Sequence, residues 1–134
     1  MNRNTERRLL QVAVALACTV PLAAGAMGVA EGPAMLKEMS AGVDPDLESH
    51  FRYLSGLLLG LGLGFAASIP SIERRSEVFL ALSGLVVIGG LARLFAVADA
   101  GAPTIALQLA LVMELVVVPL LFAWQRRIAW LFRS

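Results

Sequence analysis

Four long runs with almost no charge dominate this sequence and limit what it can fold into. Leu9 to Ala30 is 22 residues and Tyr53 to Ile72 is 20, each free of Asp, Glu, Lys and Arg. Val78 to Ala98 is 21 residues broken only by Arg93, and Ala100 to Gln125 is 26 broken only by Glu114. Each reaches the roughly 20 residues that carry an α-helix across about 30 Å of hydrocarbon. Membrane strands would show alternating patterns of about ten residues, and these runs do not alternate. The chain therefore reads as all-α, a membrane-spanning four-helix bundle. It forms a single integral membrane domain over residues 1–134, with helices near 9–30, 45–72, 77–98 and 102–125 and an outer loop at 31–52.

Composition points the same way. The chain is 58% hydrophobic and 16% charged, where a soluble domain is about 45–50% apolar and a quarter charged. So few charges, so clustered, cannot cover a water-facing surface. That argues against a disordered chain, a nucleic-acid module and a soluble enzyme domain. One Cys and one His leave no disulfide framework, CxxC pair or bis-histidine haem. No cofactor and no nucleic-acid partner is expected.

The first span has a rival reading. Arg3, Arg7 and Arg8, an apolar core and Ala24-Gly25-Ala26 follow the grammar of a cleavable signal peptide. The apolar run continues to Ala30, beyond a usual core of about 7–15 residues, so a retained helix is expected. Cys18 follows a poor lipobox and reads as a small packing residue.

Arginine placement sets the orientation. With four spans, the N-terminus, the second connection and the C-terminus share one side. That side holds Arg3, Arg7, Arg8, Arg74, Arg75, Arg126, Arg127 and Arg133, against Lys37 and Arg52 on the other. Both termini should be cytoplasmic and the segment from Glu31 to Arg52 outside, with Trp124 and Trp130 as interfacial anchors. So strong a bias disfavours the dual-topology exchange of small multidrug transporters.

In the outer loop, Pro33 to Met39 is expected to lie as a short interfacial helix. Asp44-Pro45-Asp46 reads as an N-cap, a proline at the first helical position and an acid in the first turn. Asp44, Asp46, Glu48 and His50 resemble a metal cluster, but a spacing of two spreads them around a helix, and no metal is expected.

Glycine supplies packing information. Gly56, Gly60, Gly64 and Ser68 recur every four residues, a small-residue ridge along which helix backbones can approach closely. Gly60 is expected at such a contact. A nucleotide-loop reading of Gly60 to Gly64 fails, since no strand precedes it and no Lys follows. Ala102, Ala106, Ala110 and Glu114 make a second ridge that places the carboxylate on a packing face. Pro119 should bend that helix just beyond Glu114.

A charge at mid-membrane costs about 2.5–3.5 kcal/mol on insertion scales, so Arg93 and Glu114 demand a reason. Arg93 can snorkel toward Asp99 or reach Glu114, with Gly89 and Gly90 leaving room for a helix or ligand. Three readings stay open: an Arg93–Glu114 pair that fixes helix register, a polar pocket bordered by Arg93, Glu114, Arg52, Tyr53 and His50, or a contact with a partner protein. Gln11 and Gln108 are expected to bond across helices or to headgroups.

The order Arg52-Tyr53-Leu54-Ser55-Gly56 with its glycine repeats, Ile69-Pro70-Ser71-Ile72-Glu73-Arg74, Gly89-Gly90-Leu91-Ala92-Arg93-Leu94, Gly101-Ala102-Pro103, Glu114-Leu115 and Trp124-Gln125 resembles a bacterial membrane family. It is the domain-of-unknown-function family numbered 4345, and the resemblance covers the chain from the first helix to Gln125. It implies a four-helix protein of the bacterial inner membrane, emphasises Arg52, Glu73, Arg93 and Glu114, and adds no activity.

No nucleophile–base constellation is visible, so the reading leans away from an enzyme. The favoured function is a binding module holding a lipid, quinone or similar amphipathic molecule in an outer-leaflet pocket. The alternatives are an accessory subunit packing on a membrane-protein partner or on itself through the glycine ridge, and a small oligomeric transporter using Glu114.

Overall fold

The computed structural model describes residues 2–36 and 42–133. Helix α1 spans Arg3–Glu31 and passes into a 3-10 turn at Gly32–Met35; α2 spans Pro45–Ser68 and ends in a 3-10 segment, Ile69–Arg74. Helix α3 spans Ser76–Ala100. The last span, Ile105–Leu131, consists of α4 (Ile105–Val112), a π turn (Met113–Val117) and α5 (Val118–Leu131). The described residues contain no strand, and four helical stretches are long and apolar enough to cross a membrane. Large apolar side chains point outward along them: Phe95 is 79% exposed, Ile105 74%, Leu16 66% and Ile88 64%. A soluble monomer rarely shows a continuous apolar coat, whereas lipid covers one. The chain is a multi-pass membrane protein.

Local sequence explains the helix ends. The Asp44 carboxylate accepts the Asp46 N–H at 2.8 Å, the Asp44 carbonyl accepts the Glu48 N–H at 2.9 Å, and Pro45 opens α2. This is the cap read from Asp44-Pro45-Asp46. Helix α2 stops short of Ile72 because Pro70 removes a backbone donor and Ser71 leaves helical space (φ −126°, ψ 42°). Helix α3 ends where Gly101 takes φ +92°, a conformation that glycine reaches without steric cost. Helix α1 starts at Arg3, ahead of the expected Leu9, because charges in its first turns find partners described below. Of the interfacial helix expected over Pro33 to Met39, the structure shows a 3-10 turn at Gly32–Met35 that ends at the extended Leu36, and residues 37–39 fall outside the described residues.

The chain forms two compact units, Met1–Ala13 with Ser68–Ser134 and Val14–Ala67. In the second unit α1 and α2 approach very closely, and the glycines responsible are mainly on α1. A Cβ added at Gly25 would lie 2.6 Å from the backbone nitrogen of Leu59 and 2.8 Å from its Cα; one at Gly28 would overlap Ser55. Gly62 answers from α2, 3.0 Å from Leu22. Gly60 does not sit at this contact: a Cβ there meets nothing within 4 Å, and at Gly56 it would meet only Val29 at 3.9 Å. Helical phase gives the reason. Ser55, Leu59 and Gly62 recur at four and three residues and share one face, and Gly60 lies about 100° past Leu59. A strict four-residue repeat drifts off a helix seam. Cys18 is buried in this unit with Val14 and Phe65.

The first unit is built on Leu10, Ile72, Phe79, Ile128 and Ala129, all at most 3% exposed, together with the fully buried Gln125.

Candidate functional site

Arg93 on α3 and Glu114 in the π turn meet in the first unit. Arg93 Nε donates to Glu114 Oε2 at 3.0 Å and Nη2 donates to Oε1 at 3.1 Å. Two parallel charge-assisted bonds fix the planes of both groups as well as their separation. The Glu114 side chain is 17% exposed and that of Arg93 32%. Gly90, one turn earlier on α3, makes the approach possible: a Cβ there would lie 2.8 Å from the Glu114 Cβ and 2.9 Å from Leu115. Gly89 faces open space, so only one of the two glycines serves the contact. Of the expected alanine ridge, Ala102 precedes the helix and Ala106 is exposed; Glu114 is packed through Gly90 instead.

The π turn answers the proline. Pro119 has no N–H, and its ring clashes with a carbonyl four residues back in a regular helix. One extra residue in the preceding turn relieves that clash, and Val118 N–H donates five residues back, to Met113. The irregularity expected beyond Glu114 is thus a widened turn containing Glu114 itself.

In the second unit Arg52 serves the end of α1. Its Nε donates to Glu48 Oε1 at 2.7 Å, and Nη1 donates to the carbonyls of Val29 and, at 3.1 Å, Ala30. A cation on the last carbonyls of a helix satisfies orphan acceptors and complements the dipole. Gly32, at φ +63°, lies against Glu48 and Arg52 where a side chain would collide. Tyr53 is 62% exposed and His50 is also exposed.

A polar cluster at the arginine-rich helix ends of the first unit escaped the sequence reading, apart from Gln11, for which a bond across helices was expected. Glu6, only 10% exposed at its side chain, accepts from Arg127 at 2.8 Å, and Arg7 donates to Glu73 at 3.3 Å. Gln11 Nε2 donates to the Ile69 carbonyl at 2.8 Å. Gln125 Nε2 donates to the Ile72 carbonyl at 2.7 Å and to Ser76 Oγ at 3.0 Å. The two glutamines thus hold the 3-10 segment that Pro70 denies a regular ladder. Gln108 bonds instead to the Pro103 carbonyl at the head of its own helix. One available signal was the position of Gln11 two residues inside its apolar run and of Gln125 at the very end of its own, where a polar side chain beside apolar neighbours needs a partner.

No curated protein and no solved structure matches the chain. Residues 9–125 match the family described as Domain of unknown function (DUF4345), which agrees with the motifs quoted above, and the chain belongs to that family.

Proposed function

We propose that the chain is a non-enzymatic membrane binding module that holds an amphipathic molecule, a lipid or a quinone, by its polar head at Arg93. The observation that carries this reading is the unfinished valence of Arg93. A guanidinium has five N–H donors, and the pair with Glu114 uses two of them. The remainder lie on a side chain that is about one-third exposed, in a layer where water is scarce and unsatisfied donors are costly. A headgroup phosphate or a quinone carbonyl is an acceptor of the right kind. Glu114 then acts as a positioning residue that holds the guanidinium plane. Arg52 is already engaged at the end of α1, so the reading rests on Arg93 and Glu114. The protein in this reading lies in a bacterial inner membrane with both termini cytoplasmic.

Native mass spectrometry from a gentle detergent tests it. Wild-type protein should retain a lipid or added ubiquinone that Arg93→Met loses, with Arg93→Lys between them. Equal retention by all three overturns the proposal. A second reading, an accessory subunit or homo-oligomer packing through α2, draws support from the open space at Gly60. The same spectra report subunit number, and Gly60→Leu should then remove a partner that Leu59→Ala retains.

A further inference from the structure

A cavity of about 210 Å³ opens at the arginine-rich helix ends of the first unit, lined by Glu73, Arg74, Ala129, Phe132 and Arg133. It lies where two spans finish, at the depth where lipid headgroups meet the helix ends. Its polar chemistry is incomplete. Arg74 and Arg133 are exposed and have no ion-pair partner among the described residues. Glu73 pairs with Arg7 through one oxygen only; its Oε2, like Arg7 Nε, is buried without a hydrogen-bond partner. The apolar wall is held in place, since the guanidinium carbons of Arg3 and Arg7 lie 5.3 and 5.5 Å from the centre of the Phe132 ring.

From this arrangement we infer that the cavity is a phospholipid headgroup site, separate from Arg93, selecting a phosphate that carries a hydrogen-bond donor beside it. Arg74 and Arg133 hold the phosphate oxygens, for which guanidinium geometry is suited. A hydroxyl of the headgroup donates to the unpartnered oxygen of Glu73, and the lipid glycerol rests against Phe132 and Ala129. Two unpaired cations against one already-paired carboxylate favour a net negative headgroup. Phosphatidylglycerol fits both requirements. Phosphatidylcholine fails both, being neutral overall and having no donor on its trimethylammonium group.

The test is a native mass spectrometry titration of the full chain in detergent with phosphatidylglycerol, phosphatidylethanolamine and phosphatidylcholine, one at a time. Wild-type protein should bind phosphatidylglycerol at least tenfold more tightly than phosphatidylcholine. The pair Arg74→Gln with Arg133→Gln should lose about tenfold or more, the scale of one charged hydrogen bond. The charge-matched pair Arg75→Gln with Arg126→Gln, outside the cavity lining, should lose less than threefold. Should the first pair melt early, Arg133→Gln alone decides, with the same direction expected. Equal losses from the two pairs would show general attraction to basic helix ends, and equal binding of the two lipids would show no selection; either overturns the inference. Displacement of the lipid by millimolar inorganic phosphate would identify free phosphate as the ligand and overturn the lipid assignment.

Discussion

Replacing glycine by alanine at two positions should move stability in opposite directions. At Gly25 the new methyl would lie 2.6 Å from a backbone nitrogen and 2.8 Å from a Cα of Leu59. Backbone cannot swing aside, so α1 and α2 must separate by several tenths of an ångström along their seam. Overpacking of this kind costs about 1–3 kcal/mol, offset by the 0.8–1 kcal/mol that alanine typically gains over glycine inside a helix. At Gly60 the methyl meets nothing within 4 Å, which leaves only the propensity gain. Propensity cancels when the two variants are compared with each other, so their difference isolates the clash. That difference should be about 1–3 kcal/mol in favour of Gly60→Ala, a factor of roughly 5–150 in the unfolding equilibrium. Denaturation of the monomeric fraction in mixed micelles with increasing dodecyl sulfate, followed by circular dichroism, measures it. Equal stabilities, or a less stable Gly60→Ala, would refute the assignment of the seam.

Three further outcomes are expected. Arg93→Met should strand a mostly buried carboxylate and destabilise by less than the 3–5 kcal/mol typical of a buried pair, because Arg93 is about one-third exposed. Adding Glu114→Gln should then recover part of the loss, whereas strict additivity in the cycle would show that the two are uncoupled. Arg127→Met should lower the melting temperature by removing the partner of a carboxylate that is 10% exposed, whereas Arg126→Met should leave it within a degree; equal effects would show that the Glu6 pair is not structural. In a Cys18→Ser background, a thiol at Asp46→Cys should react with impermeant reagent on intact cells and one at Arg133→Cys only after lysis. The reverse pattern would invert the topology.

Much of the fold is written in residue classes. Charge-free length marks the spans, and Asp44-Pro45-Asp46 marks the start of α2, because a local cap depends only on neighbours in sequence. The Arg93–Glu114 pair follows from the cost of a lone charge in hydrocarbon, and the cost leaves few other partners. What a single sequence does not carry is helical phase across two helices. The regular spacing of Gly56, Gly60 and Gly64 looked like the seam. Gly25 and Gly28, which make it with Gly62, lay in a stretch that also has the look of a leader-peptide cleavage site. Gln125 and Glu6 were illegible for a related reason. Their importance depends on partners 53 and 121 residues away, and no local pattern reports such a distance.

The clamp on the 3-10 segment has a consequence for how the protein is made. Val14–Ala67 is one unbroken stretch, so its helical hairpin can close as soon as the second span leaves the ribosome. The other unit joins the chain's beginning, middle and end. The Ile69 carbonyl finds Gln11 early, but the Ile72 carbonyl waits for Gln125, and Glu6 waits for Arg127. Until the final helix is synthesised, a nearly buried carboxylate and a kinked connection stand open, the state that membrane quality-control proteases sample. Nascent chains arrested before residue 125 should therefore be degraded from the middle connection, with the first hairpin left intact.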